Sequence, residues 1–530
     1  MNVKKCIVPA LLVGAALALI PRVFAKPASE KPAASSTAYE EIDAYVIDAY
    51  VEQQRQRLHI PGVCLAIVEG NKIVHLRSFG QARPEGGAPS PQTPFFIGSL
   101  TKSITALSVM QLVEAGDIDL EAPVQRYLPW FRVADPEASA QMTVRHLLNQ
   151  TSGLPTASGE VQLADFDDSP DATERQARAL ATLELNHPVG STFKYSNANY
   201  NLLGLIIEAA SGESYVDYIQ KHIFTPLEMH HSYTSQAIAK QSGLAMGHQY
   251  WFATPFAAPN IPVPHGSLPS GQLLSSSEDM AHYMIALLKG GRYGNAQILS
   301  PAGIEELYKG VAEDMQMGIS LGKYGMGWFV DESDQTKLVW HSGTTPDFGA
   351  FMALLPEQNK GVVLLFNANH HWFTPVLSDF GGGVAALLAG EQPDPMPFVG
   401  VIPWILRGQL LIPVILIVDV VATLRLLGRW RRNPERRPSG GRKWGLHILL
   451  PLIPNLLIAL TLLPMLGKTR GYLMLYMPDY AWTALTCGSF AGIWTFLRTG
   501  LVLGALRGSA LSLPFVGQRS REQKMSFEDK

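Results

Sequence analysis

Apolar positions crowd two stretches of the chain, residues 6–20 and residues 400–506, and between them alternate with polar positions in short runs. In the middle stretch Ile42, Tyr45, Val46, Ala49 and Tyr50 recur at helical spacing and predict a helix over 39–56 with one buried face. Pro61-Gly62 ends that pattern. Val63–Glu69 and Lys72–Phe79 predict two strands joined at Gly70-Asn71, a hairpin signal. Gly325–Val330, Leu338–His341, Ala350–Leu355 and Gly361–Asn367 predict further strands, while residues 100–310 read mostly as helix and loop. A helical run over Phe380–Leu388, broken by its glycines, closes the region. Strands at both ends with helices between them predict an α+β domain: one antiparallel sheet built from both termini, with a helical insertion.

The C-terminal apolar region divides into Leu410–Leu427, Trp444–Leu466 and Tyr480–Leu503, each long enough for the ~20 apolar residues that cross a bilayer. The first intervening loop carries Arg429, Arg431, Arg432, Arg436, Arg437, Arg442 and Lys443; the second carries only Lys468 and Arg470. The tail adds Arg507, Arg519, Arg521 and Lys524. The positive-inside rule then places the first loop and the tail in the cytoplasm and residues 26–400 outside it. At the N-terminus Lys4 and Lys5 precede the apolar Cys6–Ile20 and the small-residue site Val23-Phe24-Ala25, the layout of a secretory signal, with an uncleaved anchor as the alternative. The expected organisation is a signal peptide over 1–25, a Pro/Ala/Ser-rich spacer over 26–37, a globular domain over 38–395, a three-helix membrane anchor over 400–506 and a cytoplasmic tail over 507–530. That puts the globular domain on the outer, periplasmic side of a bacterial cytoplasmic membrane. Asp419, Arg425 and Arg498 fall within the spans, where charge is costly. The arginines are expected to snorkel to the cytoplasmic face and Asp419 to find a polar partner between helices. Ala484, Gly488 and Gly492 form a small-residue stripe that either packs the three helices together or makes a dimer seam.

Composition narrows the class. Of 530 residues 47% are hydrophobic and 16% charged, with a formal charge of −3. So apolar a chain can offset its conformational entropy, which excludes disorder. The near-neutral balance argues against nucleic acid as a partner. Three spans without an internal repeat argue against a transporter. Cys64 is the one cysteine of the globular part, so no disulfide forms within it.

Phe95-Phe96-Ile97-Gly98-Ser99-Leu100-Thr101-Lys102 leads into an apolar helical run. A serine at a helix start sits among outward-pointing N–H groups, where the dipole favours negative charge. Lys102, three residues on, projects from the same face. Serine is a weak nucleophile that needs a base beside it, and lysine becomes one only when desolvated or sharing its proton. The bland alternative is a capping serine and a solvated lysine. A second copy, Ser320-Leu-Gly-Lys323, lies in an expected loop with no apolar helix after it and reads as chance.

Tyr195-Ser196-Asn197 precedes the helical Leu202–Ala210, and His341-Ser342-Gly343 follows the strand at Leu338–Trp340. Tyr293-Gly-Asn295 also fits the tyrosine pattern but sits in a glycine-rich turn. With Thr143–Pro155, these elements make residues 40–390 resemble the class C β-lactamase and serine D,D-peptidase (penicillin-binding-protein-like) superfamily, which also holds esterases and D-aminopeptidases. Its elements are Ser-x-x-Lys, Tyr-x-Asn and (Lys/His)-(Ser/Thr)-Gly in that order. The resemblance implies a β-lactamase/transpeptidase-like fold and acyl transfer without a cofactor. Ser99 would be the nucleophile, with Lys102 and Tyr195 sharing the proton work and Tyr195 drawn toward phenolate by the Lys102 ammonium. Asn197 would hold Lys102 and the substrate amide. Ser342 and Gly343 would line the substrate strand, with the N–H groups of Ser99 and Thr344 as oxyanion donors. His341 departs from the Lys-Thr-Gly usual in β-lactamases and, as a neutral imidazole, gives up a fixed charge for a substrate carboxylate.

The adjacent pairs His230-His231 and His370-His371 lack metal-ligand spacing, so no metal is expected. The expected function is a membrane-anchored, extracytoplasmic serine hydrolase cleaving a small amide or ester, with D-amino-acid peptides as one substrate class. A penicillin-binding D,D-peptidase or β-lactamase is the alternative, and a non-catalytic binding or sensor protein the second. Oligomeric state is not readable from the chain.

Overall fold

The computed structural model describes residues 44–507 except 260, 317–318, 333–335, 397, 439–440 and 468. The expected signal peptide and spacer, and the tail beyond 507, lie outside the described residues.

Eight antiparallel strands form the main sheet: β1 Gly62–Glu69, β2 Lys72–Gly80, β3 Ala312–Gln316, β4 Ile319–Tyr324, β5 Phe329–Glu332, β6 Lys337–Thr344, β7 Gly349–Leu355 and β8 Lys360–Phe366, in the order β2-β1-β8-β7-β6-β5-β4-β3. The two termini meet where β1 pairs with β8, Cys64 opposite Leu365 and Ala66 opposite Val363. β1, β7 and β8 are covered on both faces, which is why they read as continuous apolar runs rather than alternating ones. Cys64, Ala66, Met352, Leu354, Val363 and Leu365 pack against a helical layer containing α2 (Thr101–Ala115), α3 (Asn197–Ser211) and α4 (Ser277–Leu288). Val63, Leu65, Phe351, Ala353, Val362 and Leu364 face the other way, onto α1 (Ala44–Arg57) and α5 (Thr374–Leu388).

Four expectations change in detail. The strand expected over Gly325–Val330 begins only at Phe329, after a turn in which Gly327 takes φ +82°. α1 buries Ile47, Val51 and Gln54, whereas Tyr45 and Val46 of the expected inner face are exposed; Ile42 lies outside the described residues. α5 is one helix through its glycines, because a Cβ on Gly381 would lie 2.1 Å from the Phe351 ring, so the small residue is a packing requirement. Ser320 and Lys323 occupy β4 instead of a loop.

The chain divides into two compact units. One holds the sheet and its helices up to Arg407 together with Gly467–Trp482. The other holds Gly408–Leu466 and the chain from Thr483. Three helical stretches are long and apolar enough to cross a membrane: Ile402–Arg432, Gly445–Leu462 and Pro478–Leu506. Within the second unit Gly488 takes up the side chain of Leu463, so the small-residue stripe packs helix on helix. Arg498 does not snorkel. It is 3% exposed, 3.4 Å from Asp419, and donates to Thr423 and to the His447 carbonyl, while Asn455 and Trp494 donate to Asp419.

Candidate active site

Ser99 sits on the single turn Gly98–Leu100 that leads into α2. Gly98 adopts φ +54°, and a Cβ there would lie 2.2 Å from the Thr344 nitrogen. A Cβ on Gly343 would lie 1.9 Å from the Ile97 carbonyl oxygen and 3.2 Å from the Ser99 nitrogen. Two glycines therefore let the Ser99 turn press against the end of β6, bringing the Ser99 and Thr344 backbone together.

One helical turn after Ser99, Lys102 is completely buried. Its Nζ lies 3.0 Å from Ser99 Oγ, 2.6 Å from Asn197 Oδ1 and 2.5 Å from the Ser270 carbonyl. The Tyr195 hydroxyl donates to Ser99 Oγ at 2.9 Å. Burial without a charged partner among those contacts pushes the Lys102 amine well below its usual range. Burial likewise raises the Tyr195 phenol, although that side chain keeps some exposure. Both shifts run against the expected pairing of phenolate with ammonium and favour the uncharged forms of the two groups. A neutral amine has two N–H groups, which satisfy Asn197 and Ser270, and a lone pair, which faces the Ser99 hydroxyl.

His341 is buried on β6. Desolvation lowers its imidazole to about 3. Its Nδ1 donates to the Ser342 carbonyl at 2.6 Å, and Nε2 accepts from Tyr324 Oη at 3.3 Å. Ser342 and Thr344 remain partly exposed on the same strand.

Several residues that motif spacing does not reveal hold this arrangement. Gln150, at φ +60°, accepts from the Ser196 N–H and from Asn199 Nδ2, and Thr156 donates to the Tyr195 carbonyl. Tyr324 packs edge-on against the Tyr195 ring. Gln150 belongs to the Thr143–Pro155 stretch already singled out; Ser270 and Tyr324 carry no local signal. Tyr293-Gly-Asn295 forms a short hairpin. Ser320 and Lys323 stand on a strand, where a rise of ~3.3 Å per residue sets backbone positions three apart by about 10 Å, with no helix to fold them back.

Among the described residues one group, His231, Glu278 and Asp279, brings possible metal-ligand atoms together. The Asp279 carboxylate there already accepts from the His231 N–H and the Ser232 hydroxyl. Of the other pair, His370 and His371 are both tied to the segment 467–482.

A serine between a lysine and a tyrosine, against the end of an interior strand of an antiparallel sheet faced by helices, fits the β-lactamase-like class of fold. The chain belongs to the Beta-lactamase family, whose pattern matches residues 47–379. It is 32% identical over 339 residues to Protein flp of Staphylococcus aureus (strain MW2), covering 62% of this chain and 63% of flp, so it spans a little under two thirds of that relative. It is 29% identical over 344 residues to Penicillin-binding protein 4 of Amycolatopsis lactamdurans, covering 64% of this chain and 89% of that protein. Among solved structures, the octameric penicillin-binding protein homologue from Pyrococcus abyssi matches with a TM-score of 0.56 and 28% identity, covering 67% of this chain and 80% of that one.

Proposed function

We propose that this protein is a membrane-anchored serine hydrolase that cleaves an amide or ester outside the cytoplasm through an acyl-Ser99 intermediate, with peptides containing D-amino acids as its substrate class. The observation that carries the reading is Ser99 Oγ held 3.0 Å from Lys102 Nζ and 2.9 Å from Tyr195 Oη. Lys102 takes the proton as Ser99 Oγ attacks the carbonyl carbon, and Tyr195 relays a proton to the leaving nitrogen or oxygen as that bond breaks. The Ser99 and Thr344 N–H groups stabilise the oxyanion. Asn197 fixes Lys102 and faces the substrate amide. Water then attacks the ester, returning the serine. The arginine-rich loop after the first apolar helix supports an outward-facing catalytic unit.

Reaction of a penicillin is the second reading, favoured by the likeness to Penicillin-binding protein 4. A neutral His341 offers no fixed charge to the carboxylate of such a substrate.

Intact-protein mass after exposure to a fluorophosphonate tests the main reading. One adduct is expected on wild type and on Ser320→Ala, and none on Ser99→Ala or Lys102→Ala. Adduct retained in Ser99→Ala would overturn the assignment. Labelling by a fluorescent penicillin, lost in Ser99→Ala, tests the second.

A further inference from the structure

The chain between the second and third apolar helices does not merely connect them. Gly467–Trp482 belongs to the compact unit of the main sheet, and its helix α6 (Arg470–Tyr476) is docked there by contacts of several kinds. Tyr472, Tyr476 and Met477 form a buried cluster with Leu163, the two tyrosine rings stacked 4.3 Å apart. Gly471 comes so close to Ala164 that a Cβ there would lie 2.7 Å from the alanine methyl. The polar contacts are equally specific. Gln249 donates to the Leu475 carbonyl at 2.5 Å, Tyr472 Oη and His371 Nδ1 are 2.9 Å apart, and Asp479 accepts from the Phe252 N–H at 2.9 Å. His370 Nε2 and Asp479 Oδ1 lie 3.0 Å apart with both side chains fully enclosed.

The docked helix ends at a recess that adjoins the proposed oxyanion strand. Phe96, Leu163, Thr345, Asp347, Leu475 and Tyr476 line it. Phe96 is three residues before Ser99, and Thr345 follows Thr344 directly. Tyr476 is 3% exposed, and its phenol is raised chiefly by burial and further by its neighbours Asp347 and Tyr195. The other walls are supplied by the helical insertion and by the turn after β6.

From this placement we infer that the segment between the second and third apolar helices is part of the substrate cleft, where Leu475 and Tyr476 close down a recess to about 10 Å³ and so limit the size of the substrate group admitted there. The inference rests on the acyl-transfer reading of Ser99 and names where its selectivity is set. Tyr476 is a specificity residue here: the bond-making atoms are those of Ser99, Lys102 and Tyr195.

The test uses the full chain and reads a ratio, so that a variant folding in lower yield affects numerator and denominator alike. Two ester series separate the two sides of the scissile bond: p-nitrophenyl acetate against p-nitrophenyl octanoate, and phenyl acetate against 2-naphthyl acetate. A change of bulk in an apolar pocket is worth about tenfold or more in relative kcat/KM. In one of the two series Tyr476→Ala is expected to raise the large-to-small ratio at least tenfold and Tyr476→Trp to lower it. Ratios within twofold of wild type in both series, whatever the absolute rates, would overturn the inference. Hydrolysis of none of the esters by wild type would count against acyl transfer itself. The recess is then read from the difference in thermal stabilisation by N-octanoyl- and N-acetyl-D-alaninamide, and a difference unchanged by both substitutions overturns the inference.

Discussion

Lys102 makes its three polar contacts to uncharged oxygens, those of Ser99, Asn197 and Ser270, and this decides which proton it can take. An enclosed ammonium with only neutral acceptors is expensive, so burial favours the uncharged amine, the form the proposed mechanism uses as base. Asp347 shows the opposite response to burial: its carboxyl, beside Thr345 in the recess, is pushed up to about 7. Between the unfolded value near ~3.9 and that folded value, the native state holds the extra proton, so stability falls as pH climbs through this window. Asp347→Asn is expected to flatten that dependence: thermal melts from pH 4 to 7 should lose part of their downward trend relative to wild type, and an identical trend would refute the assignment. Ser99, Lys102, Tyr195 and His341 were legible because each lies in a short motif whose spacing carries chemistry. Ser270 was not, since its contribution is a carbonyl 168 positions from Lys102. Tyr324 acts through ring packing across strands, which leaves no pattern along the chain.

At the scale of elements, the site is the meeting of one turn and one strand. The Gly98 and Gly343 backbones touch, and neither position has room for a methyl group. Gly343→Ala is therefore expected to push the Ser99 turn off β6 and cost about a hundredfold in acylation rate, the scale of losing one oxyanion donor. Stopped-flow labelling with the fluorophosphonate checks this, and a rate within threefold of wild type would show that the two N–H groups do not act together. The main strands were readable from apolar runs, and the pairing of first and last strands from their position at opposite ends of the domain. β3 and β4 were missed because they lie on the sheet's far edge, where apolar demand is weak. The face of α1 was misread for a related reason. Tyr45 and Val46 are apolar but exposed, and the helix meets the sheet through Ile47 and Val51.

For the whole molecule, the compact unit that holds the sheet runs to Arg407 and takes up Gly467–Trp482. Ile402 and Leu406 are buried in the core layer with α1 and α5, each worth roughly 1.5–3 kcal/mol when enclosed. A chain ending at Gly400 loses both, and with them the cluster around Tyr472 and Tyr476. It is expected to melt cooperatively but below the full chain, with its ester selectivity shifted in the same direction as Tyr476→Ala. Equal melting temperatures and equal selectivity, measured side by side in one detergent, would show that residues beyond 400 contribute nothing to the unit.

The docking of Gly467–Trp482 also sets an order of events during synthesis. Domains generally fold as their residues leave the ribosome, N-terminal parts first. Here the sheet, the Ser99 turn and the Tyr195 loop are all made before Arg407, yet the segment Gly467–Trp482 waits for two further apolar helices to be translated. On the proposed reading, a growing chain carries Ser99, Lys102 and Tyr195 well before it carries the surface proposed to select what reaches them. If the inferred recess sets selectivity, that selectivity matures only with completion of the C-terminal helices, and an interrupted chain is expected to discriminate less among esters than the finished one.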